Sequence, residues 1–415
     1  MRVLMFGWEF PPHISGGLGT ACEGLVNAML RRSIEVTFVI PKACGDEETA
    51  NLKLLSAGDV AVSKIMRKYK NMFEYISVSS SLSPYTTPEL FNEIRRTSVT
   101  KERQSEYHFS FSGNYGHNLF EEVANYASVA AQIANDQKFD VIHAHDWLTF
   151  PAGLAAKDVS GKPLVIHVHA TEFDRSGENV NPDVFKAEQA GMLGADHIIA
   201  VSDLTRQVII SRYGIDARKI SVVHNGIQQK ELPKVEKLIK DKIVTFLGRI
   251  TFQKGPEYFV SAAHKVLQRF PNVQFVMAGS GDKLEDMIRM VAWLGIGSHF
   301  HFTGFLKGAD VNTLLSQTDL YVMPSVSEPF GISPLEAIQA DVPVIISKQS
   351  GVSEVLKNAI KIDFWDTEAL ADTIHGVLVH QPLAYTLSNG AAVEVKSITW
   401  DVAAGKVVSI YRQLT

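Results

Sequence analysis

Cysteine is scarce in this chain, and long apolar runs are missing. The 415 residues include two cysteines, Cys22 and Cys44, which are too few for a disulfide framework or a cysteine-based zinc site. This usage favours a reducing compartment. Nowhere do about 18 apolar residues follow one another, so we expect no transmembrane segment. The first apolar run, residues 3–6, is too short for a signal peptide, and we expect a cytoplasmic protein.

A large excess of charge of one sign is also missing. The chain has 40 basic and 45 acidic residues and a formal net charge of −5, so no general nucleic-acid-binding surface is predicted. Hydrophobic residues make up 46% and charged residues 20%, a balance that excludes disordered and fibrous proteins. With about 150 residues per domain as a guide, the length indicates two or three domains, most simply two.

Short apolar runs alternate with stretches of helical periodicity. In the first half, helices are expected near 18–31 and 119–135. Strands are expected there at 3–6, 35–40, 139–143, 164–168, 197–201 and 220–223. In the second half, the expected strands are 243–247, 273–278, 300–302, 320–323 and 342–346. Buried strands separated by helices predict parallel sheets that are covered on both faces.

Two interruptions of this alternation define the predicted domains. Residues 58–115 are rich in Ser, Tyr and Phe, and we interpret them as an insertion with irregular strands. Residues 228–242 are mostly polar and form a predicted linker. The predicted fold class is therefore α/β, with two doubly wound, Rossmann-like domains at 1–227 and 243–398. Residues 399–415 are expected to form a final helix capped by its first residue, a threonine.

Two glycines follow the first predicted strand, at a position where open α/β sheets bind ligands. Gly16 and Gly17 precede the first helix, and glycine beside a helix N-terminus suits an anion such as phosphate. A tight turn is the alternative. The motif G-x-G-x-x-G does not occur there, and the next strand ends in Pro41-Lys42 rather than in an acidic residue. A dinucleotide-dependent dehydrogenase is therefore disfavoured.

Two His-x-His pairs mark later strands of the first half. One is His143 with His145, which Asp146 follows, and the other is His167 with His169. Residues two apart on a strand share a face, and imidazole suits zinc or iron, so a metal site is one interpretation. No carboxylate pair or cysteine has the spacing to support it. Histidines bonded to neighbouring backbone are a second interpretation, and polar groups lining a substrate cleft are the preferred one.

The second half places two cations after its first strand. Arg249 comes directly after the run 243–248, and Lys254 lies shortly after it. Two cations at a strand end can hold a diphosphate. Gly279 follows the next strand and suits either the close approach of a ligand or an ordinary turn.

Residues 324–336 carry two glutamates beside a predicted helix start. Ser333 as the cap and Pro334 as the first helical residue would make Glu336 the third position of a capping box, which is a structural explanation. No such explanation applies to Glu328, which lies in a loop bounded by proline and glycine.

This stretch resembles the E-x7-E signature of retaining GT-B glycosyltransferases, with Glu328 and Glu336 as its glutamates. It looks most like the large family four, which transfers sugars from nucleotide diphosphate donors. Further blocks of that family resemble residues 224–227, 246–249, 278–282, 302–305 and 399–400 of this chain. Residues 8–12, the double-glycine loop and 145–147 resemble glycogen and starch synthases. The resemblance implies two domains facing a cleft, with the final helix packed back on the first.

The resemblance implies a donor site built on the second domain. Arg249 and Lys254 would hold the diphosphate as charge develops on it. Glu328 would bind hydroxyls of the donor sugar, and Glu336 would bind those of the ribose. Gly279 belongs to the same implied site. Amides at the following helix start would add a favourable dipole, and they belong to Gly331, Ile332 and Ser333.

Residues of the first domain would complete the implied site. Gly16 and Gly17 would approach the donor, and Asn225 and His169 would line its pocket. Asp146 would lie near the sugar or the acceptor. His169 and Asp146 thus join the three charged residues of the second domain, Arg249, Lys254 and Glu328, as the expected catalytic set.

The expected function is transfer of a hexose with retention, as in glycogen synthases. The expected donor is ADP- or UDP-glucose, and the expected acceptor is a glycan such as an α-glucan. Alternatives are a family-four transferase that uses another hexose for a different glycan, a nucleotide-sugar epimerase, and a two-lobed binding protein without transferase activity. No cofactor and no metal are expected, because no Asp-x-Asp pair occurs and two cations with a helix dipole can carry the diphosphate charge.

Overall fold

Two parallel sheets, each covered by helices on both faces, make up the protein. The computed structural model describes residues 1–13, 16–47, 52–63, 66, 68–70, 106–116, 118–230, 237 and 239–415. One sheet belongs to the first half of the chain and the other to the second half. The expected fold class, two Rossmann-like domains, is confirmed.

A seven-stranded sheet forms the first domain. The strands of this half are β1 (Arg2–Phe6), β2 (Glu35–Ile40), β3 (Lys53–Ser56), β4 (Val62–Ser63), β5 (Glu106–Tyr107), β6 (Val141–His145), β7 (Leu164–Val168), β8 (His197–Ala200) and β9 (Ile220–Val222). The sheet order is β3-β2-β1-β6-β7-β8-β9, and all neighbours are parallel. Strands β4 and β5 form a separate antiparallel pair. The helices are α1 (Gly17–Arg31), α2 (Leu119–Asp136), α3 (Phe150–Ser160), α4 (Glu172–Ser176), α5 (Pro182–Gly194) and α6 (Asp203–Tyr213).

The central strand β1 shows why the predicted strands are mostly apolar on both faces. Its residues Val3 and Met5 belong to the core shared with α1. The alternate residues Leu4 and Phe6 belong to the core formed with α2 and α3. Because successive side chains of a strand point to opposite faces, a strand covered on both faces is apolar at most of its positions.

A six-stranded parallel sheet forms the second domain. Its strands are β10 (Lys242–Leu247), β11 (Val273–Ala278), β12 (Phe300–Gly304), β13 (Leu320–Met323), β14 (Val344–Ser347) and β15 (Ile360–Ile362), in the order β12-β11-β10-β13-β14-β15. The helices are α7 (Pro256–Leu267), α8 (Leu284–Trp293), α9 (Ala309–Gln317), α10 (Ser333–Gln339), α11 (Thr367–Val379) and α12 (Gln381–Val395). No helix among the described residues of the chain is both long enough and apolar enough to cross a bilayer.

The final helix, α13 (Trp400–Leu414), packs on the first domain. The Thr399 hydroxyl caps it by accepting a hydrogen bond from the amide of Val402 at 3.3 Å. Asp401 pairs with Arg31 of α1 at 2.8 Å. The amide of Ile227 donates to the carbonyl of Ile398 at 3.0 Å. The two segments that connect the domains therefore lie side by side.

The first domain differs from the expected strands in the bounds of β6 and in the presence of β3. The strand predicted at 139–143 is β6, which begins and ends two residues later. Asp140 lies before it and accepts hydrogen bonds from the amide and the guanidinium of Arg2 at 2.8 and 2.9 Å. Strand β3 was not predicted. Of the predicted insertion at 58–115, β4 and β5 are described, and residues 64–65, 67 and 71–105 lie outside the described part of the chain.

Candidate active site

Both sheets reverse their strand order beside their first strand. In the first sheet, β1 lies between β2 and β6, and in the second sheet β10 lies between β11 and β13. Ligands of open α/β sheets bind beyond the carboxyl ends of the strands at such positions. The loops after β1, β6, β10 and β13 therefore define the candidate site.

The N-terminus of α1 faces the second domain. An ideal Cβ built on Gly16 would lie 4.0 Å from Nε of Arg249. A Cβ on Gly17 would meet no described atom within 4 Å. The first turn of a helix has N–H groups without intrahelical acceptors, and its dipole favours anions. The structure thus brings the predicted glycine loop and the predicted arginine to opposite sides of one cleft.

Glu9 is a buried carboxylate that the sequence analysis did not single out. It is 7% exposed and accepts hydrogen bonds from the amide of Gly19 and the hydroxyl of Tyr115, both at 3.2 Å. It therefore fixes the loop after β1 against α1. The available signal was a charged residue between two aromatic residues, Trp8 and Phe10, in a loop that follows a buried strand.

The loop after β10 holds Arg249 against its own turn. Nη2 of Arg249 lies 3.4 Å from Oε1 of Gln253. Gly279 packs directly behind this loop with φ of +146°, and a Cβ there would collide with the carbonyl oxygen of Gly248. Close packing of two backbone segments therefore accounts for the glycine at position 279, and its place in the donor site stays a prediction.

Lys254 and Glu328 form an ion pair between the loops after β10 and β13. Their side chains are 20% and 8% exposed, so both charges are largely shielded from water. The backbone of Glu328 is held on both sides, since its amide donates to Gln349 at 2.9 Å and its carbonyl accepts from Gly351 at 2.8 Å. Gly331, with φ of +100°, makes the turn that follows. Glu328 is therefore a firmly placed carboxylate with a cationic partner.

The start of α10 differs from the predicted capping box. The helix begins at Ser333, and the residue before it, Ile332, makes no side-chain cap. The Ser333 hydroxyl bonds instead to the hydroxyl of Tyr321 at 2.7 Å. The capping-box explanation of Glu336 is therefore wrong. Burial raises the pKa of Glu336, and the charge of Lys230 opposes this effect.

Glu336 borders a large cavity at the junction of the domains. The cavity has a volume of about 1160 Å³. Its walls include Ile332, Trp400, residues of α1 and residues 227–230 of the segment that connects the domains. Arg249, Lys254 and Glu328 are not among its lining residues. The two glutamates of the predicted signature thus border different parts of the region between the domains.

Asp146 fastens the loop after β7. Its backbone has φ of +57°, and its Oδ1 accepts from the amides of His169 at 2.6 Å and Ala170 at 3.3 Å. Burial raises the pKa of Asp146 to about 6, although the charge of Arg175 and these two hydrogen bonds lower it. At neutral pH the carboxylate therefore orders the loop that carries His169.

The two His-x-His pairs form one cluster. Rings of His143 and His145 stack with centroids 4.4 Å apart, and those of His167 and His169 stack at 4.3 Å. Nε2 of His169 lies 2.9 Å from Nδ1 of His145. Burial lowers the pKa of His169 to about 3, so its imidazole is neutral at physiological pH. His169 is the partly exposed member of the cluster.

Asn225 lies where the chain first crosses between the domains, and it is 7% exposed. Its neighbour His224 places Nε2 2.7 Å from Oε2 of Glu354 in the second domain. The same carboxylate accepts from the amides of Asp203 and Leu204, which begin α6, both at 2.9 Å. Burial alone would raise the pKa of Glu354, but these hydrogen bonds lower it. An anionic residue of the second domain therefore anchors a helix of the first.

A second polar contact joins the domains. The Ser327 hydroxyl, beside Glu328, donates to Oδ1 of Asp174 at 2.5 Å. The other oxygen of Asp174 accepts from the amide and hydroxyl of Thr171 and so caps α4. The sequence did not predict roles for Ser327 and Asp174. They are 153 positions apart, and nothing in the local sequence pairs them.

Two families match this chain in succession. Residues 93–231 match Glycosyltransferase Family 4, and residues 228–392 match Glycosyl transferases group 1. An uncharacterised glycosyltransferase of Methanocaldococcus jannaschii is 28% identical over 434 residues, covering 99% of this chain and 98% of the relative. Glycogen synthase of Mycobacterium tuberculosis is 24% identical over 428 residues, covering 99% and 94%.

Solved structures share the whole fold. Sucrose-phosphate synthase from Thermosynechococcus elongatus has a TM-score of 0.75 at 18% identity and covers 100% of this chain and 98% of that one. Anabaena HepE, solved with UDP and glucose, has a TM-score of 0.68 at 17% identity and covers 100% of both chains. These findings together support a glycosyltransferase with the GT-B fold, of which residues 93–392 match the two glycosyltransferase models. The resemblance noted in the sequence is confirmed.

Proposed function

We propose that this glycosyltransferase moves glucose from a nucleotide diphosphate donor to a glycan acceptor with retention at the anomeric carbon. The observation that carries the proposal is the position of Arg249. Its guanidinium faces the N-terminus of α1, and its loop leads into the Lys254–Glu328 ion pair. Cationic groups and a helix N-terminus that converge from two domains suit an anion bound between them.

The diphosphate is bound by both domains. Arg249 supplies a planar fork that matches two phosphate oxygens. The amides near Gly16 and Gly17 approach from the opposite side of the cleft. Gly331, Ile332 and Ser333, at the start of α10, are the remaining proposed amide donors. These groups are in place before reaction, so they stabilise charge that develops on the leaving phosphate.

Lys254 and Glu328 act as one unit. An ammonium group has three N–H donors, so Lys254 can bind a phosphate oxygen while it stays paired with Glu328. The carboxylate has a second oxygen that can accept from a sugar hydroxyl. Glu328 thereby orients the sugar relative to the phosphate, and the pairing keeps its own negative charge from repelling the donor.

Retention is proposed to proceed without a covalent glycosyl–enzyme intermediate, because the nearby carboxylates are engaged. A double displacement needs a carboxylate that can attack the anomeric carbon. Glu328 is paired with Lys254, and Asp146 accepts two backbone hydrogen bonds. In the proposed step the acceptor oxygen bonds to the anomeric carbon as the carbon–oxygen bond to the phosphate breaks. The acceptor proton passes to the leaving phosphate on the same face.

Donor binding is proposed to need no divalent metal. Many transferases neutralise the diphosphate with a metal held by acidic side chains. Here Arg249, Lys254 and the N-terminus of α1 supply positive charge at the same place. His169 lies at the end of β7 as a neutral, partly exposed group, and with Asn225 it is the proposed contact for the hexose.

Glu336 is proposed to bind the ribose. It lies in the first turn of α10, and no capping role explains it. It borders the cavity at the domain junction. Since burial raises the pKa of this carboxyl, two hydroxyl donors would stabilise its ionised form.

The identity of the sugars rests on relatives. HepE was solved with UDP and glucose, which supports a nucleotide-glucose donor. Glycogen synthase among the relatives supports an α-glucan acceptor. The second candidate is a transferase that uses another nucleotide hexose for a different glycan, which the match to Family 4 favours.

A donor panel tests the proposal. The protein is incubated with ADP-glucose, UDP-glucose, UDP-galactose and GDP-mannose, each with glycogen, maltooligosaccharides or no acceptor. Acceptor-stimulated nucleotide release with a glucose donor supports it, and Arg249→Ala serves as the inactive control. A changed sugar without nucleotide release would indicate an epimerase. Binding without either reaction would indicate a non-catalytic protein.

A further inference from the structure

Three buried histidines from neighbouring strands face one another inside the first domain. His143 and His145 lie on one face of β6, and His145 is in register with His167 of β7. Their exposed fractions are 0%, 0% and 2%. One ring nitrogen of each lies within 4.8 Å of those of the other two. The cluster contacts Phe38 of β2 and Tyr411 of α13, so it is enclosed in the core.

Four ring nitrogens of this cluster have no hydrogen-bond partner in the part of the chain that the structure describes. They are Nε2 of His143, Nε2 of His145 and both nitrogens of His167. A buried polar atom without a partner costs about 1–3 kcal/mol. Four of them within one enclosed cluster are hard to explain by packing alone, and they indicate a bound group that satisfies three of them, one on each ring.

We infer that His143, His145 and His167 bind a divalent transition-metal ion of the zinc class. Imidazole nitrogen is a preferred ligand of such ions. Nitrogens around a tetrahedral zinc lie about 3.4 Å apart, given Zn–N distances of about 2.1 Å. To close around an ion, the rings must move by about 1 Å and also rotate, because His143 and His167 each stack on His145 at 25° and 28° and a bound ion lies in the plane of each ligand ring.

The opposite ring nitrogens support this assignment. Nδ1 of His143 bonds to the hydroxyl of Tyr411, and Nδ1 of His145 lies 2.9 Å from Nε2 of His169. Metal-bound histidines usually engage their second nitrogen in this way, which fixes the ring orientation. Burial also lowers the pKa of all three ligands, which keeps them in the neutral form that binds metal.

The site is structural and takes no part in the proposed transfer step, although His145 contacts His169, the proposed contact of the hexose. The ion would join β6 to β7 and, through Tyr411, to the final helix α13. Binding that is specific to the folded state stabilises it. Metal content, the Co²⁺ band and the melting temperature are measured without sugar donor or acceptor, so failure of the metal inference and failure of the proposed function are distinguishable.

Cobalt provides the test, because its visible absorption reports ligand geometry. Full-length protein is treated with a chelator under mildly destabilising conditions and then titrated with Co²⁺ and Zn²⁺. We expect about one ion per chain, a visible Co²⁺ band that Zn²⁺ abolishes, and a higher melting temperature with metal. Protein purified from zinc-supplemented growth should contain about one zinc per chain.

Two variants complete the experiment. His167→Leu should weaken zinc binding by at least about a hundredfold, since even outer contacts of metal ligands are worth 10–100-fold, and should abolish the metal-dependent rise in melting temperature. His197→Gln is the control, because His197 lies on the adjacent strand and its Nε2 is 2.9 Å from the Ser221 hydroxyl. Absence of a Co²⁺ band and of bound metal in the wild-type protein would overturn the inference, whether or not His167→Leu folds. Wild-type zinc affinity in His167→Leu would do the same.

Discussion

Replacement of Glu328 by glutamine separates catalysis from donor binding. The carboxylate is 8% exposed and paired with Lys254, so its charge acts where water screens it poorly. Loss of one such charged contact costs about 3 kcal/mol of transition-state stabilisation. At about 1.4 kcal/mol for each factor of ten, kcat should fall about a hundredfold.

Nucleotide affinity should not fall together with kcat. Glutamine has no charge, so Lys254 keeps its full positive charge for the diphosphate. The dissociation constant of the nucleotide should therefore stay the same or fall by a few-fold. An effect on kcat without weaker nucleotide binding is the pattern expected when an interaction is made mainly in the transition state.

The assay is kcat at saturating donor and acceptor, together with nucleotide titration by calorimetry. Thermal unfolding shows whether the variant is folded at the assay temperature. Glu285→Gln is the matched control, because that carboxylate is 85% exposed on α8. A Glu328→Gln enzyme with wild-type kcat would refute the proposed role of Glu328, whatever its affinity for the nucleotide.

Further predictions concern the diphosphate site, the ribose contact, the metal requirement and the pH dependence of stability. Arg249→Ala should lose at least about a hundredfold in kcat/KM, and Arg249→Lys should recover only part of it because the bidentate fork is lost; full activity of the lysine variant would contradict this. Glu336→Gln should raise the nucleotide dissociation constant more than it lowers kcat, and a wild-type dissociation constant would remove Glu336 from the donor site. Transfer measured within minutes of EDTA addition should persist, whereas a loss that Mg²⁺ or Mn²⁺ restores would overturn metal-free donor binding. Burial raises the pKa of Glu188 to about 7 from 4.5, despite Arg175 and its hydrogen bonds. Since the folded state holds this proton more tightly, the unfolding free energy of the wild type relative to Glu188→Gln should fall by up to about 3 kcal/mol between pH 4 and pH 8. A pH-independent difference in chemical denaturation would contradict that prediction.

The second domain was predicted well because its signals are local. The runs at 243–247, 273–278 and 320–323 correspond to β10, β11 and β13. They are apolar except for Thr245 and Gln274, whose side chains bond to Thr318 and Asp241. In a parallel sheet covered on both faces such runs have few alternatives. Arg249 and Glu328 were found because they follow two of these strands, and adjacent strands bring their loops together.

Other features depend on partners that the local sequence does not reveal. Strand β6 ends in His143, Ala144 and His145, all buried. Because histidine is polar, the predicted strand ended at residue 143, two residues before the end of β6. The capping box was plausible from spacing, but Tyr321 binds the Ser333 hydroxyl from the strand below. Hydrogen bonds to backbone and hydroxyl groups such as these form only after the chain has folded.

Contacts between the domains were the least predictable. Ser327 meets Asp174, and Glu354 meets the start of α6, over more than 150 positions of sequence. Ser, Asp and Glu in loops are common and carry no pairing signal. Their partners follow from how the two sheets are placed around the cleft.

The stereochemistry of the product tests the central proposal most directly. The protein is incubated with ADP- or UDP-glucose and a maltooligosaccharide, and the anomeric proton of the new linkage is observed by NMR from the earliest time points. We expect an α-linked glucose from the α-linked donor, formed together with free nucleotide diphosphate. A β-linked product, or no transfer from any glucose donor in the panel while the protein remains folded, would contradict it.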